Sequence, residues 1–238
     1  MILDRVTVTG ADDSVSPEDL VALSKEFPFV EWGILFAGAM SAGQPRWPSN
    51  PWIDRIVSEK QMMPSLRLSA HLCGRWVSDI FRGVPSWWET YGNRITRAFG
   101  RVQVNTHSQA MQVAAGMAEI LERDHEFILQ HDGANNETVE YLVSVPSNTN
   151  VVALYDTSSG AGRLPGEWGK PLCRYTGYSG GLSPKNVAMQ LVAIREVAED
   201  ARVWIDVETH VRSDGDSKFD LGKVRAFLET AKPFVTQS

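Results

Sequence analysis

Short apolar runs of strand-forming residues recur along the chain, and helical patterns lie between them. In Arg202–Glu208 apolar and polar residues alternate with a period of two, as expected for a strand with two different faces. Ser16 followed by a proline is typical of a helix start, and Ser183 followed by a proline repeats it. Further helices are predicted at Ser108–Leu121 and Leu221–Ala231. The predicted strands are Arg5–Thr9, Val30–Phe36, Leu66–Ala70, Val102–Asn105, Phe127–Gln130, Val151–Tyr155, Leu172–Thr176 and Val203–Val207.

Alternation of strands with helices predicts a parallel sheet with right-handed crossovers. Eight such units in 238 residues predict a single (β/α)8 TIM barrel that occupies residues 1–238 as one domain. An open doubly wound sheet is the alternative. No Gly-x-Gly-x-x-Gly pattern follows the first strand, however, which favours the barrel.

The charge, the cysteine content and the apolar runs of the sequence limit the partners and the compartment that we expect. The formal charge of −6 disfavours nucleic acid or an anionic membrane as the main partner. The only cysteines are Cys73 and Cys173, which indicates a reduced compartment without a disulfide framework or a Cys/His zinc cluster. The sequence shows neither a charged-then-apolar leader nor an apolar run of membrane length. We therefore expect a cytoplasmic monomer or homodimer that acts on a small-molecule substrate and needs no cofactor.

Acidic residues follow two of the predicted strands. Asp156 ends the run Val151–Tyr155 and leads into the Ser/Gly-rich segment Thr157–Gly162, as reactive residues do at strand ends in barrels. A surface aspartate that closes a turn is the alternative. In the last strand, Asp206 and Glu208 share one face. That face would point into the mouth of a closed barrel, or to solvent in an open sheet.

Six short segments, in the right order, resemble phosphoribosylanthranilate isomerase, an enzyme of the tryptophan pathway. The resemblance covers nearly the whole chain and implies the TIM-barrel fold. The segments are Val6–Gly10 with Ser16–Asp19, Trp32–Phe36 with Gln44–Arg46, Gln103–Thr106, Ala153–Asp156 with Gly160–Gly162, Ser179–Pro184, and the last strand.

The resemblance implies an Amadori rearrangement, in which an acid opens the ring of a phosphorylated aminoaldose and a base removes the neighbouring proton. Asp156 matches the family's general acid, but Thr9 stands where the family has its cysteine base. A threonine hydroxyl is too weakly acidic to act as a resting base unless another group activates it. Glu208, Asp206 and His71 are the candidates for the missing partner.

The resemblance also implies a phosphate site, which this chain alters. Gly180 and Gly181 match the glycines whose backbone N–H groups receive the phosphate. The Ser-Ser-Gly that follows the family's last strand is Glu208-Thr-His here, and a carboxylate would repel phosphate there. The alternative is that Glu208 turns outward and pairs with Arg212. Further substrate-binding candidates are Arg46, Gln103, Asn105 and Thr209.

The sequence therefore predicts a divergent isomerase-type enzyme with acid–base chemistry on a small polar or phosphorylated sugar-like substrate. One alternative is a metal-dependent lyase or hydrolase, because His71 and His131 fall near predicted strand ends, as do His107 and His210. No tight ligand spacing supports a metal, so none is expected. The other alternative is a barrel that binds a ligand or partner without catalysis.

Overall fold

Eight parallel strands close into a barrel in sequence order, and the predicted (β/α)8 fold is confirmed. The computed structural model describes residues 1–38, 42–105, 124–158 and 161–236. The first and last strands pair with each other, with Val6 opposite Ile205 and Thr7 opposite Asp206. The strands are β1 Ile2–Thr9, β2 Val30–Phe36, β3 Leu68–Leu72, β4 Arg101–Val104, β5 Glu126–His131, β6 Val151–Tyr155, β7 Tyr175–Tyr178 and β8 Arg202–Val207.

Helices surround the barrel. In the described ranges they are α1 Pro17–Glu26, α2 Asn50–Met62, α3 Arg75–Phe81, α4 Ser86–Thr96, α5 Asn136–Ser144, α6 Val187–Ala198 and α7 Leu221–Ala231. The predicted helix Ser108–Leu121 lies outside the described residues. After β8, the two-residue strands β9 Arg212–Ser213 and β10 Lys218–Phe219 pair in antiparallel fashion. None of the helices in the described ranges has the length and apolar character that crossing a bilayer requires.

The two predicted Ser-Pro helix starts have different outcomes. Ser16 caps α1 through a capping box, in which its hydroxyl accepts from the backbone N–H of Asp19 and the Asp19 carboxylate accepts in return. The start predicted at Ser183 is wrong, because α6 begins at Val187. The carbonyl of Ser183 instead accepts from the N–H groups of Asn186 and Val187, at 3.1 and 3.0 Å, in the turn that precedes the helix.

Two predicted strands begin too early, for identifiable reasons. The N–H of Leu66 donates to the carbonyl of Met63 at 2.9 Å in the turn after α2, so β3 starts at Leu68. The N–H groups of Leu172 and Cys173 donate to the hydroxyl of Thr176, at 3.1 and 3.3 Å, so β7 starts only at Tyr175. The shift of β3 places His71 inside a strand rather than beyond its end.

The strand alternation separates an apolar outer layer from a polar barrel interior. Outward residues of the strands, such as Val8, Ile34 and Ile205, are fully buried in the main hydrophobic cluster. Inside the barrel, Glu31 accepts from the guanidinium of Arg5 at 2.8 Å and from that of Arg101 at 2.9 Å. One carboxylate is therefore shared by two guanidinium groups inside the barrel, below the strand ends that form the site.

Candidate active site

A cavity opens at the carboxyl ends of the strands, where barrel enzymes place their chemistry. The space between its lining residues, including the part open to solvent, is about 580 Å³. It collects residues that are far apart in the sequence. Among those that line it are Gln103, Asn105, Gln130, Asp156, Ser158, Ser179, Gly180, Gly181, Asp206, Glu208, Thr209 and His210.

Thr9 and Asp206 meet at the end of β1. The hydroxyl of Thr9 donates to Asp206 Oδ1 at 2.9 Å, and the two residues are 1% and 5% exposed. Gly33 on the neighbouring strand makes room for this arrangement, because a Cβ at Gly33 would overlap Thr9 Oγ1 and lie 2.9 Å from Nε2 of His71. Thr9 therefore contacts a buried carboxyl, although it stands where the resemblance places a cysteine.

Asp206 has the most strongly perturbed environment of the site. Burial raises the pKa of its carboxyl well above the ordinary value, and the carboxylates of Glu208, Glu31 and Asp156 raise it further. The hydrogen bond from Thr9 opposes the rise in pKa without cancelling it. Asp206 therefore keeps its proton to a higher pH than an exposed aspartate does.

Asp156 lines the same cavity and is held by two donors. The side-chain amide of Gln130 donates to Asp156 Oδ2 at 3.2 Å, and the hydroxyl of Ser158 donates to Asp156 Oδ1 at 2.8 Å. The side chain is 5% exposed. Both contacts are of the kind that a carboxylate accepts, and together they fix the orientation of the group.

Glu208 faces the cavity and forms an ion pair with Arg46. Burial raises the pKa of Glu208, the charge of Arg46 opposes this, and the carboxylates of Asp156 and Asp216 add to it. The alternative pairing of Glu208 with Arg212 is not found, because the guanidinium of Arg212 binds Asp12 at 2.7 Å. The negative charge of Glu208 thus stays at the mouth of the barrel.

Arg46 lies at the rim, where acidic groups surround it. Besides the pair with Glu208, its Nε donates to Asp216 at 2.5 Å and its backbone N–H donates to Asp12 at 2.7 Å. Two of its three guanidinium nitrogens donate to carboxylates, and the third, Nη2, lies 3.5 Å from the hydroxyl of Thr209. The predicted substrate-binding arginine is therefore engaged by the protein's own acids.

The predicted phosphate glycines lie against another segment of the chain. Gly180 and Gly181 have φ angles of 106° and 66°, which favour glycine. A Cβ at Gly181 would overlap the backbone N of Leu164, and one at Gly180 would lie 3.0 Å from the carbonyl oxygen of Arg163. In this chain the glycines allow a close approach of the loop that follows β6.

The remaining predicted substrate-binding residues divide between the floor and the rim. On the floor, the side-chain amide of Gln103 donates to Asn105 Oδ1 at 2.8 Å, and Asn105 Nδ2 donates to Cys73 Sγ at 3.2 Å. At the rim, Thr209 packs against Gly162, where a Cβ would be 3.2 Å away. Burial raises the pKa of the Cys73 thiol to about 12, so it is not a thiolate at neutral pH.

The two histidines considered as metal ligands, His71 and His131, face opposite sides of the barrel wall. His71 faces the barrel interior, and burial lowers its pKa to about 3, so the imidazole is neutral at physiological pH. His131 lies on the outer side of β5, where its Nε2 is 3.0 Å from Glu140 on α5. Among the described residues, no group of three His, Cys, Asp or Glu side chains is arranged to hold a metal ion. His107 is outside the described ranges.

Several site residues have weak sequence signals. Gln130 ends a predicted strand, and Ser158 lies two residues after Asp156. These positions alone could have suggested that both side chains contact the carboxylate of Asp156. Asp12 follows the first strand in the same way. Asp216 carries no such signal, because its contact with Arg46 depends on the path of the chain after β8.

Comparisons with known proteins support the fold and no finer assignment. No protein-family model matches the sequence, and no curated protein matches it either. The structure is similar to that of phospho-2-dehydro-3-deoxyheptonate aldolase (DAHP synthase) from Thermotoga maritima, with a TM-score of 0.55, 11% identity, and coverage of 98% of this chain and 69% of that chain. KGPDC from Streptococcus mutans, solved in complex with D-R5P, gives a TM-score of 0.48 and 13% identity over 96% and 97% of the two chains. At 11% identity the similarity to the first of these structures shows the TIM-barrel fold alone.

Proposed function

We propose that this protein is an isomerase-type enzyme that moves protons on a small sugar-like substrate in the mouth of the barrel. The observation that carries the proposal is the pairing of Asp206, a carboxyl with a raised pKa, with Asp156 in the same cavity. Two carboxyl groups in contrasting environments are the usual basis of acid and base roles in one site.

Asp206 is the proton donor of this proposal. Its raised pKa lets the carboxyl keep its proton to a higher pH than an ordinary aspartic acid does, and the contact with Thr9 fixes the direction of the carboxyl group. Asp206 would protonate the ring oxygen or carbonyl oxygen of the substrate. Thr9 acts as a positioning residue, which removes the need for a thiol at that place.

Asp156 is the proton acceptor of this proposal. Gln130 and Ser158 hold its carboxylate toward the cavity. It would take the proton from the carbon next to the carbonyl group and return it to the former carbonyl carbon. As the new carbonyl forms, the hydroxyl on the neighbouring carbon would give its proton back to Asp206, so that the substrate is isomerised without net gain or loss of protons. The resemblance to phosphoribosylanthranilate isomerase supports the reaction class but implies the acid role for Asp156. We assign that role to Asp206 instead, because the pKa of its carboxyl is raised by burial beside Thr9.

Exchange of carbon-bound hydrogen with solvent tests this reaction class without knowledge of the natural substrate. A panel of aldoses and aminoaldoses, free and phosphorylated, is incubated with the protein in D2O, and loss of the C2 proton is followed by NMR. We expect exchange with at least one compound, and a loss of about 10²-fold or more in Asp156→Asn and in Asp206→Asn.

Asp200→Asn is the matched control, because Asp200 is exposed and precedes β8, away from the catalytic end of the barrel. It should leave the exchange rate unchanged. Absence of exchange across the whole panel, or exchange that survives in Asp156→Asn, would refute the proposal and favour a barrel that only binds its ligand.

A further inference from the structure

The floor of the cavity contains two buried amide oxygens without partners. Gln103 and Gln130 are each 4% exposed, and the Oε1 atoms of both have no hydrogen-bond partner among the described residues. Buried polar atoms in folded proteins are nearly always paired. Because both residues line the cavity, these atoms are placed to accept hydrogen bonds from a ligand.

The contacts of the two amides fix which atom faces the ligand. The amide nitrogen of Gln130 must point to Asp156, since an oxygen there would face a carboxylate. The amide nitrogen of Gln103 points to Asn105 Oδ1, and the amide of Asn105 is in turn oriented by its N–H contact with Cys73. The free atoms of the floor are therefore acceptors, and they require donors from the ligand.

The same cavity offers little to a phosphate group. Arg46 forms ion pairs with Glu208 and Asp216, and the backbone of Arg163 and Leu164 lies against the Cα atoms of the glycine pair. His210 Nε2, another group at the rim, lies 3.0 Å from the carbonyl oxygen of Gly162. No lysine or arginine is among the described residues that line the cavity, so a phosphate dianion there would meet carboxylates and amide oxygens.

We propose that the site selects an uncharged, polyhydroxylated ligand, a free sugar rather than a sugar phosphate, whose hydroxyl groups donate to Gln103 Oε1 and Gln130 Oε1. Hydroxyls serve this role because each can donate to an amide oxygen while it accepts from another group. The inference rests on the proposed function in treating this ligand as the substrate. The selection itself is a property of binding and is measured without turnover.

Paired ligands test the selection directly. Calorimetric titrations of the wild-type protein compare D-ribose and D-glucose with D-ribose 5-phosphate, D-glucose 6-phosphate and inorganic phosphate, at constant ionic strength. We expect at least one free sugar to bind, and its phosphate ester to bind at least tenfold more weakly. Equal or tighter binding of the ester, or no binding of either free sugar, would overturn the inference.

Variants of one floor residue identify the acceptor. Gln103→Leu should weaken binding of the free sugar at least tenfold, whereas Gln103→Glu, which keeps an acceptor oxygen, should retain more of it. Gln61→Leu, at an exposed glutamine on α2, is the matched control and should bind as the wild type does. Unchanged binding in a folded Gln103→Leu variant would contradict the assigned contact.

Comparison of sugar binding with C2 exchange separates the two proposals. Selective sugar binding without any C2 exchange in the wild type would refute the catalytic proposal and leave the selection intact. Exchange that occurs only with phosphorylated sugars would support the catalytic proposal and overturn the selection.

Discussion

Replacement of Asp206 by asparagine should stabilise the folded protein at neutral pH. The amide keeps an oxygen that can accept from Thr9, so the 2.9 Å hydrogen bond has a substitute. It removes a carboxyl whose pKa is raised, chiefly by burial, in the folded state. The folded state therefore binds the Asp206 proton more tightly than the unfolded chain does, where the pKa is about 3.9.

The sign of the effect follows from this difference in proton affinity. The wild type has its full stability below the pKa of the unfolded state and loses stability as the pH rises through the raised pKa of the folded state. Asp206→Asn does not suffer this loss. Its advantage over the wild type should therefore grow with pH and level off above the folded-state pKa, by about 1.4 kcal/mol for each unit by which the pKa is raised.

Urea unfolding of both proteins from pH 4 to pH 9 measures this advantage. Asp220→Asn is an informative control, because the hydrogen bonds from Ser213 and from the N–H of Lys223 lower the pKa of Asp220. That substitution should destabilise the protein at neutral pH, and the difference should shrink as the pH falls. A stability difference between wild type and Asp206→Asn that does not change with pH would refute the argument from burial.

Three further predictions concern charge and the altered family positions. Glu208→Gln should raise the affinity for inorganic phosphate about tenfold or more, measured by calorimetry, because it removes a negative charge from the cavity and one of the two carboxylates that pair with Arg46, and unchanged affinity would mean that the repulsion is not felt in the cavity. Phosphoribosylanthranilate should show little or no turnover in the fluorescence assay for its consumption, and Thr9→Cys alone should not restore it, whereas turnover at ordinary enzyme rates would contradict the divergence of the site. Glu31→Gln should lower the free energy of unfolding by about 3 kcal/mol in urea, because it removes the negative charge 2.9 Å from the buried guanidinium of Arg101, and a neutral effect would show that the ion pair is dispensable.

The fold could be predicted from the sequence because each strand carries its own local pattern. The run Val151–Tyr155 and the alternation in Val203–Val207 are visible without tertiary information, and both correspond closely to observed strands. The common face of Asp206 and Glu208 also follows from the period of two. Barrel closure then decides that this face points into the mouth rather than to solvent.

The contacts that set the chemistry could not be predicted in the same way. The alternation puts Glu31 on a face of β2 but does not say that Arg101, 70 residues away, neutralises it. Arg46 finds Asp216 only because the segment after β8 returns to the mouth. The close approach of the Leu164 backbone to Gly181 depends on the path of the loop after β6, which no local pattern encodes.

The pH dependence of C2 hydrogen exchange in wild type and Asp206→Asn tests the central claim most directly. Asp206 must be protonated to act as the acid, so the wild-type rate should fall as the pH rises through its raised pKa. In Asp206→Asn the remaining exchange should be slower and should no longer fall on the alkaline side. An alkaline fall that persists unchanged in the variant would show that another group is the acid and would contradict the assignment.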